Sequence, residues 1–327
     1  MQDLDIKIIQ FINKNSIDLS KIHNMLDYTI NQIPGVEFTF DITTYGEFGI
    51  LRVLIDYDNK NIQPLLFGTP DNLSNLSKYL WKQQTTIWSD TLQGISSRAA
   101  FLRKEVLIPQ IIKVFCKYNA KDFVAAEIGC GNGIIVKELM KYSQTVYGID
   151  ISEEFIDKLK EENPENKDKF LVYDIANSNL KEQYDIIICS MLLLDIPQID
   201  KALDNIYNLI KTNGILIIAD INPDTYKALG YLDGTELIAI HDKDTIFSTE
   251  KWISGETKAV HNYHPYNLYR NCLESKDMEC LEDFTFGPTY DLIMNNSKLN
   301  NHEKERLLSE LKIDFSNPLY RCLVMKK

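Results

Sequence analysis

Glu127, Gly129, Gly131 and Gly133 stand in the run AAEIGCGNGIIVKEL, residues 125–139, where an acidic side chain closes an apolar run and three glycines follow. A strand that ends in a glycine-rich turn and opens a helix brings backbone close to a ligand at the carboxyl edge of a sheet. The spacing narrows the ligand. A dinucleotide turn needs G-x-G-x-x-G, with its third glycine for close helix–strand packing. Here that third position is Ile134. A nucleotide-phosphate loop ends in Gly-Lys-Ser or Gly-Lys-Thr, and this turn does not. Glu127 would repel a pyrophosphate but suits a ligand carrying an ammonium group.

Two more carboxylates extend the pattern. Asp150 ends the next expected strand, where it can accept both hydroxyls of a ribose. Asp174 ends the third, where it can accept from an adenine amino group. A ligand with an amino acid end, a ribose and an adenine, but no phosphate, is S-adenosyl-L-methionine, with S-adenosyl-L-homocysteine as its product. The residues therefore predict an adenosylmethionine site.

These groups need a scaffold to hold them. From Phe123 the sequence alternates short Ile/Leu/Val strands with helices: FVAAEIG, TVYGIDIS, FLVYDI, YDIIICSMLLL and GILIIADIN, with helices between them. Continuous apolar strands separated by helices indicate a parallel sheet covered on both faces. A strand around 278–285 and a final LYRCLVMKK raise the expected number to seven. The expected fold is α/β: a Rossmann-like, seven-stranded, mostly parallel sheet with helices on both faces. Before it, SRAAFLRKEVLIPQIIKVFCKY (97–118) reads as an amphipathic helix capped by Ser96 or Ser97, and Pro109 should kink or interrupt it. Residues 1–33 read as two helical segments, and 36–58 as a two-stranded antiparallel ribbon. The expected division is an N-terminal extension, 1–95, acting as lid or substrate-binding part, and a catalytic domain, 96–327, with an insertion at about 223–262.

From about Phe123 to Asn222 the chain resembles the class I adenosylmethionine-dependent methyltransferases, in the small-molecule branch of that family. EIGCGNG resembles their first motif, VYGIDIS the second, and YDI (173–175) the third. CSMLLLDIP (189–197) followed by LIKTNGILIIADI (209–221) resembles the fourth strand, its helix and the fifth strand. The resemblance places Glu127, Gly129, Gly131 and Gly133 at the methionine end, Asp150 on the ribose and Asp174 near the adenine. Ser190, Met191 and Leu192 would lie beside the transferred methyl, and Cys130, Ile151 and Ile175 complete the expected cofactor set. Asp195 is read either as facing substrate or as a helix cap.

The donor's methyl is already activated, so neither a metal nor a covalent enzyme intermediate is expected, and catalysis is mainly in-line positioning. A hydroxyl acceptor would also benefit from a general base, whereas a neutral amine would not. HNYHPYNLYRNCL (261–273) resembles the family's pocket-rim segment, with Tyr263, His264, Pro265, Tyr269 and Leu273 matching and the intervening arginine missing. His264, with His261 in reserve, is the candidate base, because imidazole titrates near neutral pH. Tyr263, Trp88 and Arg98 are the candidate acceptor contacts. Tyr79 and Trp81 belong to the same aromatic run, and packing explains these aromatics as readily as contact does. The ribbon is open to three roles: lid, dimer contact or structural annex.

Composition bounds the rest. Six scattered cysteines without a CxxC pair read as reduced thiols in a cytoplasmic protein. A formal net charge of -12 without a dense basic block disfavours nucleic acid as acceptor. The apolar run at 186–194 is too short to span a bilayer, so no membrane association is expected. Three functions remain open: methyl transfer to O or N of a small metabolite, methylation of a peptide or protein, or adenosylmethionine binding without catalysis. A homodimer is left open.

Overall fold

The computed structural model describes residues 6–31, 39–57, 60–61, 65–82, 97–120, 122–177, 180–222, 224–225, 247–254, 257–264 and 267–327. Two compact units share the chain. The first comprises Met1–Leu80, Leu194–Gln198 and Gly230–Tyr266; the second comprises Trp81–Leu193, Ile199–Leu229 and Asn267–Lys327.

The chain begins with helices α1 (Ile6–Lys14) and α2 (Leu19–Asn31), as the apolar spacing predicts. Strands β1 (Thr39–Tyr45) and β2 (Ile50–Tyr57) form the expected antiparallel ribbon. The short strands β3 (Lys60–Asn61) and β4 (Leu65–Phe67) both pair with β2, and α3 (Pro70–Lys82) follows.

Next come the first turn of a helix, α4 (Arg98–Phe101), and α5 (Ile108–Tyr118), joined by a π-helical stretch at Leu102–Leu107. Ser97 caps this helix, its Oγ accepting the Ala100 N–H at 3.2 Å. The interruption expected at Pro109 is this widened stretch, in which the Ile108 N–H donates to the Arg103 carbonyl five residues back. Proline lacks an N–H and its ring crowds the carbonyl four residues before it; a wider turn relieves both.

The alternating part runs β5 (Val124–Ile128), α6 (Ile134–Leu139), β6 (Thr145–Asp150), α7 (Glu153–Glu162), β7 (Phe170–Val172), β8 (Tyr184–Ser190), α8 (Ile199–Leu209) and β9 (Ile210–Ile221). After it come the hairpin β10 (Phe247–Ser254) and β11 (Thr257–Tyr263), α9 (Leu268–Glu274), β12 (Glu279–Phe286) and β13 (Tyr320–Lys326). The second unit's sheet has seven strands in the order β12-β13-β9-β8-β5-β6-β7, with the five from β9 to β7 parallel and β13 antiparallel to both β9 and β12. The Ile side chains at 186, 188, 215 and 217 pack with Phe101, Ile111, Phe115 and Val136 into one core. Each such buried side chain contributes about 1.5–3 kcal/mol. This core holds the carboxyl ends of β5, β6 and β8 at one edge.

The first unit has its own antiparallel sheet, β1-β2-β4-β10-β11, with β3 beside β2. Front ribbon and later insertion are thus one sheet, joined where Ser248 and Thr249 pair with Leu66 and Leu65. Its core places Val260 of β11 with Ile50, Leu66, Leu73, Leu76 and Leu80. The segment Leu194–Gln198 belongs to this unit. Ser77 Oγ donates to the Asp195 carbonyl at 3.1 Å, Asn262 Nδ2 donates to the Leu194 carbonyl at 3.0 Å, and Gln198 Nε2 donates to Asp71. Among the described residues no helix is long and apolar enough to cross a membrane.

Candidate cofactor site

The glycine turn has the backbone its sequence demands. Gly129, Gly131 and Gly133 all have positive φ, at 75°, 49° and 70°, a region that side chains with a Cβ enter at a cost. The Gly129 and Cys130 N–H groups donate to the Ile149 carbonyl at 2.7 and 3.1 Å, which ties the turn to β6. A Cβ at Gly129 would come within 2.7 Å of Leu192 Cδ1, and one at Gly133 within 2.5 Å of Leu159 Cδ2. At Gly131 a Cβ would meet nothing within 4 Å among the described residues. Space has been left at this one glycine of the three.

Glu127 lies at the end of β5 and is 1% exposed. The Val136 N–H, in the first turn of α6, favours its ionised form. Its Oε2 has no hydrogen-bond partner among the described residues. Burial is the main cause pushing Glu127 up to about 8; the Arg103 charge and the Val136 donor oppose this, and Asp150 adds to it. Asn132 Oδ1, in the same turn, is a second buried acceptor without a partner among the described residues. Two unanswered acceptors fit a ligand that donates, such as an ammonium, and not a phosphate, which only accepts.

Asp150 spans the gap between turn and second strand. Its Oδ2 accepts the Gly131 N–H at 2.8 Å and its Oδ1 accepts the Ser152 N–H at 2.9 Å. Burial raises it above the ordinary carboxylate range, and those two N–H groups with that of Ile151 pull it back. A carboxylate offers about four acceptor positions, so ribose hydroxyls can still be received. Asp174 closes a local turn, accepting the Ala176 N–H and Asn177 Nδ2, both at 3.0 Å. Ile175 is buried and Ile151 half-buried. Cys130 is buried, and burial holds its thiol well above its usual range.

At the end of β8, Ser190 is buried and Met191 has φ 53°. The Met191 N–H donates to the Ala219 carbonyl at 2.9 Å, which helps hold this left-handed backbone. Strain in a non-glycine residue at the carboxyl edge of a central strand points to a functional position.

The expected acceptor-side residues are placed as follows. His261 and Tyr263 lie on β11, and His264, 5% exposed, follows directly; all three are in the first unit. Arg98 opens α4 in the second unit and is half-buried. Trp88 lies outside the described residues. Asp195 belongs to the gripped segment, where its carbonyl and not its side chain meets Ser77. Asn132 was not singled out from the sequence, although a polar residue between two glycines was a usable signal.

A sheet of this order, with an acidic, glycine-lined turn at its carboxyl edge, has the α/β architecture in which ligands bind beyond the carboxyl ends of the strands. Residues 126–218 match the family model described as a methyltransferase domain. Among curated proteins, the ubiquinone biosynthesis O-methyltransferase of Coxiella burnetii is 29% identical over 116 residues, 34% of this chain and 49% of that protein. A tRNA N(3)-methylcytidine methyltransferase of Schizosaccharomyces pombe is 26% identical over 236 residues, 67% of this chain and 65% of that protein. The chain thus spans about half the length of the ubiquinone enzyme it matches. Among solved structures, an adenosylmethionine-dependent methyltransferase from Listeria monocytogenes aligns with TM-score 0.50 at 16% identity, over 68% of this chain and 99% of its own. A Burkholderia thailandensis 1,6-didemethyltoxoflavin-N1-methyltransferase aligns with TM-score 0.52 at 9% identity, over 84% of this chain and 95% of its own. Over residues 126–218 the chain is thus similar to methyltransferase domains, and it shares its fold with solved adenosylmethionine-dependent methyltransferases.

Proposed function

We propose that this chain transfers a methyl group from S-adenosyl-L-methionine to an oxygen or nitrogen of a small metabolite. The observation that carries the reading is Glu127, a buried carboxylate with an unanswered oxygen beside a turn where Gly131 leaves room. When bound, the donor supplies a methyl made electrophilic by its sulfonium. The chain's residues bind and orient. Glu127 takes the ammonium, while Gly129, Cys130, Gly131 and Gly133 let backbone approach the methionine end. Asp150 accepts the ribose hydroxyls with Ile151 beside them, and Asp174 and Ile175 meet the adenine. Ser190 and Met191 border the methyl. Residues 1–95 and the insertion at about 223–262 select the acceptor, and no covalent enzyme intermediate is called for. Six free cysteines suit a reducing, cytoplasmic setting.

The test is adenosylhomocysteine formation by the full chain, with metabolite pools, peptides and tRNA as acceptors. Product from the metabolite pool alone supports the reading. An RNA acceptor is the second reading, favoured by the similarity to the fission-yeast tRNA enzyme and opposed by a net charge of -12. Product from tRNA or peptides alone overturns the small-molecule reading, and donor binding without turnover overturns catalysis.

Two substitutions probe the assigned roles. Asp150→Ala removes charge-assisted hydrogen bonds of ~1.5–3 kcal/mol each, so calorimetry should show adenosylhomocysteine affinity reduced about tenfold or more. Native affinity in a folded variant would remove Asp150 from the ribose. His264 is the proposed base for a hydroxyl acceptor, with Tyr263, Trp88 and Arg98 as proposed acceptor contacts and His261 in reserve. His264→Ala should lower turnover about 10²-fold with product affinity unchanged. An unaltered rate would return His264 to a packing role.

A further inference from the structure

We propose that Asn262 is a positioning residue for methyl transfer: by holding the Leu194 carbonyl it keeps Met191, at the end of β8, in its left-handed backbone. The inference rests on the function proposed above, which puts Met191 beside the transferred methyl. It starts from a strained residue. Met191 has φ 53°, a region that is costly for a residue bearing a Cβ and persists only where the surroundings hold it.

Holds lie on both sides of Met191. On the strand side its N–H donates to the Ala219 carbonyl at 2.9 Å. Next in the chain, Leu192 lies against the glycine turn, so close that a Cβ at Gly129 would meet its Cδ1 at 2.7 Å. Leu193, fully buried, then opens the 3₁₀ turn Leu193–Asp195. Helical turns leave their last carbonyls to be met by other groups. Here side chains meet them: Asn262 Nδ2 donates to the Leu194 carbonyl at 3.0 Å, and Ser77 Oγ to the Asp195 carbonyl at 3.1 Å.

The Asn262 bond is the buried one of the two, and Asn262 itself is 1% exposed. A buried carbonyl that loses its donor drives the backbone around it to rotate towards a new one. Leu194 stands three residues after Met191, and the conformation that yields first is the strained one. Asn262 also lies on β11, two residues before His264, the proposed base. The strand that leads to the base therefore also holds the chain that leaves the methyl edge. Misplacing a reacting group by ~1 Å costs about 10²-fold in rate. Product affinity should be spared, because Glu127, the glycine turn and Asp150 lie on β5 and β6 and in the turn between them.

The experiment compares full-length Asn262→Leu, a side chain of similar shape without the donor, with the native chain. Calorimetric titration with S-adenosyl-L-homocysteine counts folded sites and gives affinity. Turnover per folded site is then measured with the acceptor pool that the native chain methylates. In the variant, kcat per site should fall about 10²-fold, with the acceptor KM and the product affinity each within about threefold of native. A bond that only supports the fold gives a different pattern, a lowered Tm with native kcat per folded site, and that result would overturn the inference. A raised KM with unchanged kcat would make Asn262 an acceptor contact and overturn it equally. Should Asn262→Leu not fold, Ser77→Ala decides. It leaves the next carbonyl in the same turn without its donor, and it should lower kcat per site about tenfold; an unchanged kcat there overturns the inference. A native chain that binds S-adenosyl-L-homocysteine and methylates no pool would instead overturn the proposed function itself.

Discussion

Gly131→Ala should fold and yet lose about 10²-fold in affinity for adenosylhomocysteine. Its φ of 49° costs an alanine roughly 1 kcal/mol, a loss that leaves a domain of this size folded. The new methyl would touch nothing within 4 Å among the described residues. Whatever it displaces must be ligand, and a methyl driven into a close contact costs roughly 1–3 kcal/mol, the upper end of which is about 10² in affinity. The neighbouring glycines make internal controls. At Gly133 and Gly129 the methyl would run into Leu159 and Leu192, so those variants should show the loss first as a lowered Tm. Calorimetry beside thermal melting separates the two patterns. Native affinity in Gly131→Ala would place the ligand elsewhere along the turn.

The parallel sheet was legible because its signals are local. Each strand is a run of Ile, Leu and Val followed within a few residues by its own glycine, acid or cap, so order and topology follow from neighbours in sequence. The same holds for Glu127 and Asp150, at the ends of β5 and β6, and for Asp174, two residues past β7. The first unit's sheet was hidden for the opposite reason. Leu65–Phe67 is three residues long, and its partners on β10 lie far along the chain. Antiparallel pairing at such separation leaves no periodic trace, so ribbon and insertion looked like independent pieces. Proline at 109 announced an interruption, and the structure has it as the π-helical stretch just ahead of it.

Deleting residues 1–80 alone should yield no soluble protein, whereas deleting them together with 230–266 should yield a folded unit that binds adenosylhomocysteine. The first deletion removes β1 to β4 and α3 and leaves the β10–β11 hairpin behind. The β10 edge then loses its partner β4, and Val260 loses Leu66, Leu76 and Leu80 from around it. An unpaired edge with exposed apolar side chains is a template for aggregation, and a lone hairpin is marginal in water. Replacing 230–266 by a flexible Gly/Ser linker removes that edge, and the seven-stranded sheet with its own core remains. Glu127, Gly131, Asp150 and Asp174 all stay in the retained unit, so product affinity should remain within about tenfold of native. Turnover of the acceptor methylated by the full chain should fall below detection, because His264 and the residues proposed to select the acceptor are gone. Size-exclusion chromatography, calorimetry and the adenosylhomocysteine assay read the three outcomes separately. A soluble, monomeric 81–327 fragment would show that the insertion does not depend on the front ribbon. Full turnover by the double deletion would remove the first unit from the chemistry and leave the acceptor to be chosen by the parallel sheet alone.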